Sequence, residues 1–167
     1  MSPELTSAAL KLPTLVISPT DIARLSREVE ALNDWFDAAK IRSPNEPIRL
    51  PRTSRLLEEL AQVNKLDLQV ESDRKKTAAY LAAAKTKAPV VHISFSADPS
   101  AAFMAKLVTW LRQNIHPQLL VRIGLQPTIA AGCILRTDNR VYDFSLRGHL
   151  IASRDQLIDA LHQAAMN

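Results

Sequence analysis

The sequence predicts an α+β protein: a helical N-terminal part, then a small C-terminal α/β domain with a mixed sheet and a β-hairpin. Three observations carry this. Up to residue 88 the apolar residues recur at three- and four-residue steps, the period of a helix. At Pro89 the spacing shortens to two, the period of a strand. The chain's 3 glycines all fall late, at Gly124, Gly132 and Gly148, around two short apolar runs split by Asp138-Asn139. With 167 residues, 47% of them hydrophobic and 23% charged, the chain can bury a real core as one domain or two small ones. The expected organisation is an arm over residues 1–19, a helical part over 20–88 and an α+β domain over 89–167.

The opening "MSPELTSAALKLPTLVISPTD" is apolar in tendency but broken by Lys11 and Pro13, and no basic stretch precedes it. It reads as a flexible or docking arm instead of a signal peptide. Ser18-Pro19-Thr20-Asp21 is a helix start, with a serine cap, proline at the first helical position and an acid in the first turn. Ile22, Leu25, Val29, Leu32 and Trp35/Phe36 then mark one apolar stripe of a helix running to about Lys40. Prolines at 44, 47 and 51 make "IRSPNEPIRLPR" an extended connection. A second helix follows Thr53-Ser54 with Leu56, Leu57, Leu60 and Val63 inward. A third starts at Ser72-Asp73, rich in alanine, with Leu81 its largest inward residue. Such slender helices leave Leu32, Trp35 and Phe36 as a candidate partner interface, since large exposed aromatics are favoured anchors. The bland alternative is that Trp35 and Phe36 fill a small core with Leu56, Leu57 and Leu60.

From Pro89, "VVHISF" reads as a strand with Val91, Ile93 and Phe95 on one face. Asp98-Pro99 opens a helix with Phe103, Leu107, Leu111 and Ile115 along one stripe, ended by His116-Pro117. "QLLVRIGL" alternates Leu119, Val121, Ile123 and Leu125, a second strand. "CILR" and "RVYDF" flank Thr137-Asp138-Asn139, and Asn and Asp tolerate the left-handed backbone of a tight hairpin. Ser153 with Gln156 forms a capping box for a last helix with Leu157, Ile158 and Leu161 inward.

Little here points to bond chemistry. No Gly-rich phosphate loop is present, and His92, His116, His149 and His162 lack metal-ligand spacing. Asp143, Ser145 and His149 sit too close along one strand end to converge as a triad, and no G-x-S-x-G elbow exists. Asp143 and Ser145 are better read as bonding local backbone groups. No catalytic residue, cofactor site or metal site is expected. The net charge of +4 permits an acidic partner or an anionic surface. A single Cys133 rules out an intrachain disulfide framework and fits a reducing cytoplasm. No apolar run approaches the ~18–20 residues of a membrane span. A basic sheet face bearing Arg122, Arg136, Arg140 and Arg147 makes nucleic-acid binding the rival class, with Tyr142 and Phe144 as its one small stacking platform.

The stretch "QPTIAAGCILRTDNRVYDFSLRGHL", residues 126 to 150, resembles the closing motif of the delta subunit of F-type ATP synthases, the oligomycin-sensitivity-conferring protein family. That pattern runs D-P-S-[LI]-[LI]-G-G, a short apolar run, a G-D or G-N turn, then V-[LIV]-D-x-S-[LIV]-[RK]-[GN]-x-L. Pro127, Thr128, Ile129, Gly132, Ile134, Leu135, Asn139, Val141, Asp143, Ser145, Leu146, Arg147, Gly148 and Leu150 fit it without a gap. Gln126, Ala130-Ala131 and Asp138 depart from it. The resemblance covers about residues 89 to 160; the N-terminal part is shorter than the family's helical bundle, as in a divergent or shortened member. It implies a stator, or peripheral-stalk, subunit, non-catalytic, that links the alpha/beta head to the membrane-anchored b subunits in ATP synthesis and proton transport. It also implies a peripheral place on the cytoplasmic face of the cell membrane. Pro127, Gly132, Asp143, Ser145, Arg147, Gly148 and Leu150 are then structural motif residues, and no nucleic acid is a partner.

Overall fold

A computed structural model describes residues 10–42, 51–129, 131–137 and 139–147, and beyond these residues 151, 153, 154, 158, 159, 161 and 162. Helices α1 (Pro19–Arg42), α2 (Arg55–Asn64) and α3 (Glu71–Lys87) are followed by β1 (Val90–Phe95), α4 (Ala101–Asn114) and β2 (Leu120–Leu125). A single 3₁₀ turn (Pro127–Ile129) then leads to β3 (Gly132–Arg136) and β4 (Val141–Ser145). Four helices and a four-stranded mixed sheet among the described residues make the protein α+β. Two compact units interleave along the chain: Met1–Val90 with Ala105–Leu120, and Val91–Met104 with Val121–Asn167.

The first unit is built on α1. Its start is closed reciprocally: the Asp21 N–H donates to Ser18 Oγ at 3.2 Å, and the Ser18 N–H donates to the Asp21 carboxylate at 2.8 Å. This is a capping box with aspartate in the acidic position. Ile22, Leu25, Val29, Leu32 and Phe36 are all buried. Their alternating steps of three and four keep them on one face, because a helix turns about 100° per residue. Against them pack Leu57, Leu60 and Ala61 of α2, Leu81 and Ala84 of α3, and Leu68. Ser54 caps α2, accepting from the Leu57 N–H, and Lys65 closes it in the left-handed region at φ 53°. Val63 is exposed, not inward as expected.

Two corrections concern this unit. Residues 10–18, expected within a flexible or docking arm, are packed: Leu12 and Val16 lie in the core. The Arg112 guanidinium staples them there, donating to the carbonyls of Leu12, Pro13 and Val16, and to Leu119 at 3.1 Å. Residues 1–9 lie outside the described residues, as does most of the triple-proline connection. Secondly, α4 buries Met104, Val108 and Leu111, while Phe103 and Ile115 are exposed. The expected stripe took four-residue steps throughout. Each such step advances about 40° around the helix, so three of them carry a residue off the buried face.

In the second unit the sheet order is β2-β1-β3-β4. β1 pairs antiparallel with β3, matching His92 to Arg136 and Phe95 to Cys133. β3 pairs antiparallel with β4, matching Gly132 to Ser145 and Arg136 to Val141. Val91, Ile93 and Phe95 are buried as the alternation requires. β2 departs from it: Ile123 and Leu125 are exposed, and among the described residues this strand has a sheet neighbour on one side only. Ile158 and Leu161, expected inward, are also exposed. Gln156, Leu157 and the capping box they would complete lie outside the described residues.

Candidate functional site

The segment from Pro127 to Arg147 holds most of the residues singled out by sequence. It is a 3₁₀ turn followed by a hairpin. Pro127 opens the turn and is exposed, while Ile129 closes it and is buried. Gly132 follows with φ +93°, where side chains are strained. A Cβ there would be driven into the Phe144 carbonyl oxygen and would lie 3.0 Å from Ser145 Cα. Glycine at 132 is therefore required by both backbone angle and space. The hairpin closes as expected at Thr137, whose N–H donates to the Arg140 carbonyl at 2.9 Å. Asp138 lies outside the described residues.

Past the turn, the Asp143 carboxylate accepts from the Ser145 N–H at 2.8 Å. The Ser145 hydroxyl and then its N–H hold the Asp143 carboxyl below its ordinary range; the N–H makes the well-formed bond. Ser145 is itself buried and Asp143 exposed. The Asp143 side chain thus meets local backbone, as the sequence suggested, while Ser145 contributes its N–H. Arg147 is exposed and helical. Gly148, His149 and Leu150 lie outside the described residues.

The sheet sorts its side chains by parity. Tyr142 and Phe144 stand opposite Leu135 and Cys133, which stand opposite Ile93 and Phe95. All six share a face. On it the Tyr142 and Phe144 rings stack, with centroids 6.3 Å apart and planes at 9°. Both rings are exposed. Burial raises the pKa of the Cys133 thiol on this face, so a reactive thiolate is not favoured. The opposite face carries His92 and Arg136, which are cross-strand partners. Arg122 joins them: a Cβ on Gly124 would meet Ser94 Oγ at 3.3 Å, so Gly124 and Ser94 share a face, and Arg122 and His92 are two residues from each. Arg122 and Arg136 are therefore on the opposite side of the sheet from the aromatic platform.

The candidate interface on α1 is largely dismantled. Leu32 and Phe36 are each 4% exposed and belong to the core; only Trp35, at 39%, reaches solvent. Phe36 is covered from α3 by a residue the sequence reading passed over. Arg74 lies with its guanidinium 4.0 Å above the Phe36 ring. It donates to Asn33 Oδ1 at 2.8 Å and to the carbonyls of Leu68 and Gln69 at 3.0 and 2.9 Å. The signal was present: Arg74, Thr77, Leu81 and Ala84 follow one another at helical steps, and all four are buried.

Among the described residues no group of three or more His, Cys, Asp or Glu is placed to hold a metal ion. Nor is any helix among them long and apolar enough to cross a membrane. No protein-family model matches this chain, and no curated protein matches it.

Proposed function

We propose that this chain is a peripheral-stalk subunit of a proton-translocating F-type ATP synthase. It ties the alpha/beta head to the membrane-anchored b subunits and performs no bond chemistry of its own. The observation that carries the reading is the hairpin segment. Positions fixed in the family's closing pattern are those with a specific backbone task here: Gly132 at its positive φ against Phe144, and Asp143 on the Ser145 N–H. A stator must resist torque, and short closed turns with bonded backbone give stiffness at small size. Membrane association would come through the complex, at the cytoplasmic face. The test is affinity purification of the tagged chain from detergent-solubilised membranes of the cells that make it. Recovery of alpha, beta and b subunits is the expected result; their absence overturns the reading.

One observation favours a second reading, a small basic nucleic-acid-binding protein: the exposed Tyr142–Phe144 stack, on which a base could lie. Against it, Arg122 and Arg136 lie on the other face, so contacts from these two would not converge with the stack. Salt-dependent binding to single-stranded RNA, lost on changing Arg122 and Arg136, would support this rival.

A further inference from the structure

The last strand of the sheet poses a problem that its own side chain answers. Among the described residues nothing lies beyond β4 in the strand order. An edge strand offers unpaired N–H and C=O groups, and proteins usually blunt such edges with proline, lysine, a bulge or a covering element. Val141 to Ser145 contain no proline or lysine, and they pair with β3 without a bulge. Val141 is 65% and Phe144 62% exposed. An unbulged edge that exposes apolar side chains invites a further strand.

Which backbone groups face outward follows from the ladder. The Thr137 N–H bonds the Arg140 carbonyl, and the Leu146 N–H bonds the Ala131 carbonyl. In an antiparallel pair the bonded positions recur every second residue. Tyr142 and Phe144 therefore turn their backbone groups to β3, and Val141, Asp143 and Ser145 turn theirs to the free edge. The Ser145 N–H is the outward donor that the Asp143 carboxylate occupies. We propose that Asp143 guards the free edge of β4 against strand addition by a second copy of this chain.

The guard acts twice. It fills the Ser145 N–H, removing one of the few donors an incoming strand could use. It also places a charge at the centre of the edge. In the two-fold antiparallel register that uses the whole strand, Val141 meets Ser145, Tyr142 meets Phe144, and Asp143 meets its own copy. Like charges directly opposite destabilise a strand pair. A second copy is the occupant the geometry fits, because that register sets the Tyr142–Phe144 stack beside its own duplicate and buries both. The inference is independent of the function proposed above.

Sedimentation velocity on Asp143→Ala at the same concentration as wild type tests it. The expected result is a larger sedimenting species than wild type, with an unchanged far-UV circular dichroism spectrum. Adding Val141→Pro to Asp143→Ala should return the wild-type value. The Val141 N–H lies on the free edge, so proline there removes no bond to β3. Three results would overturn the guard: Asp143→Ala that sediments as wild type, association that Val141→Pro leaves unchanged, or loss of the folded spectrum. The last would mean that Asp143 builds the sheet instead of protecting its edge.

Discussion

The guanidinium of Arg74 lies 4.0 Å over the ring of Phe36, so one of the three residues read as a candidate partner interface is instead roofed by a buried cation. Among the described residues Arg74 finds no carboxylate partner; it meets the ring, an asparagine and two carbonyls. Its bonds tie the turn before α3 to α1, fixing the two longest helices of the first unit.

Replacing Arg74 by Met should therefore be costly. The side chain could keep part of its packing, but the Leu68 and Gln69 carbonyls and Asn33 would each lose a charged donor. Unsatisfied buried groups cost ~1–3 kcal/mol apiece. Chemical denaturation is expected to show a loss of at least ~2 kcal/mol. Arg74→Lys should lose nearly as much, since an ammonium cannot reproduce the planar fork. A neutral effect of either change would refute this account of the turn.

Neighbouring Phe36 and Trp35 should behave differently from one another. Phe36→Ala opens a cavity in the core and should cost ~3–5 kcal/mol of folding stability. Trp35→Ala removes a partly exposed ring and its edge-to-face contact with Phe36, at 5.1 Å and 87°. That contact is worth ~0.5–1.5 kcal/mol beyond area burial, so a smaller loss than at Phe36 is expected. Thermal melts of the two variants are the check. Equal losses would mean that Trp35 is as much a core residue as Phe36.

Gly132→Ala should be among the most damaging small changes in the chain. The added Cβ meets the Phe144 carbonyl, and φ +93° is unfavourable for alanine whatever the space. A cost of about 3 kcal/mol is expected, read as a lowered denaturation midpoint. If Gly132→Ala melts like wild type, the close approach of β3 to β4 at this point is wrong.

The surface pairs on α3 make a pH prediction. Hydrogen bonds from Lys75 and then Lys40 lower the Glu71 pKa from 4.5 to about 2. The folded value lies below the unfolded one, so these pairs contribute fully above 4.5, and the contribution is lost as pH falls towards about 2. Glu71 is exposed, so salt should weaken the effect. Carboxyl titration by NMR should find Glu71 well below 4.5, and Lys75→Met should raise it. An ordinary value in the wild type would contradict the pairing.

How far the sequence could be read depended on whether a signal was local. The α1 stripe, its Ser18–Asp21 cap, the β1 alternation and the hairpin at Thr137 are written in neighbouring residues, and all appear in the structure. Where one distant contact decides, the reading failed. Leu12 and Val16 look like an arm until Arg112, about a hundred positions away, bonds the carbonyls around them. Arg74 occupies an inward helical position, but its charge disguised it, so the sequence left open whether Phe36 fills the core or meets a partner. The α4 stripe failed for geometric reasons, having been traced in four-residue steps alone. In the hairpin, residue types alone placed Asp143 on local backbone; which N–H it fills, and that this N–H faces the free edge, needed the ladder.

The central claim is that this chain ties an ATP-hydrolysing head to the membrane. Depleting it from the cells that make it, and measuring ATP hydrolysis separately in membrane and soluble fractions, tests that claim most directly. The account predicts that hydrolytic activity leaves the membranes for the soluble fraction and returns when the purified chain is added back. Activity that stays on the membranes after depletion, with ATP-driven proton pumping intact, would contradict it.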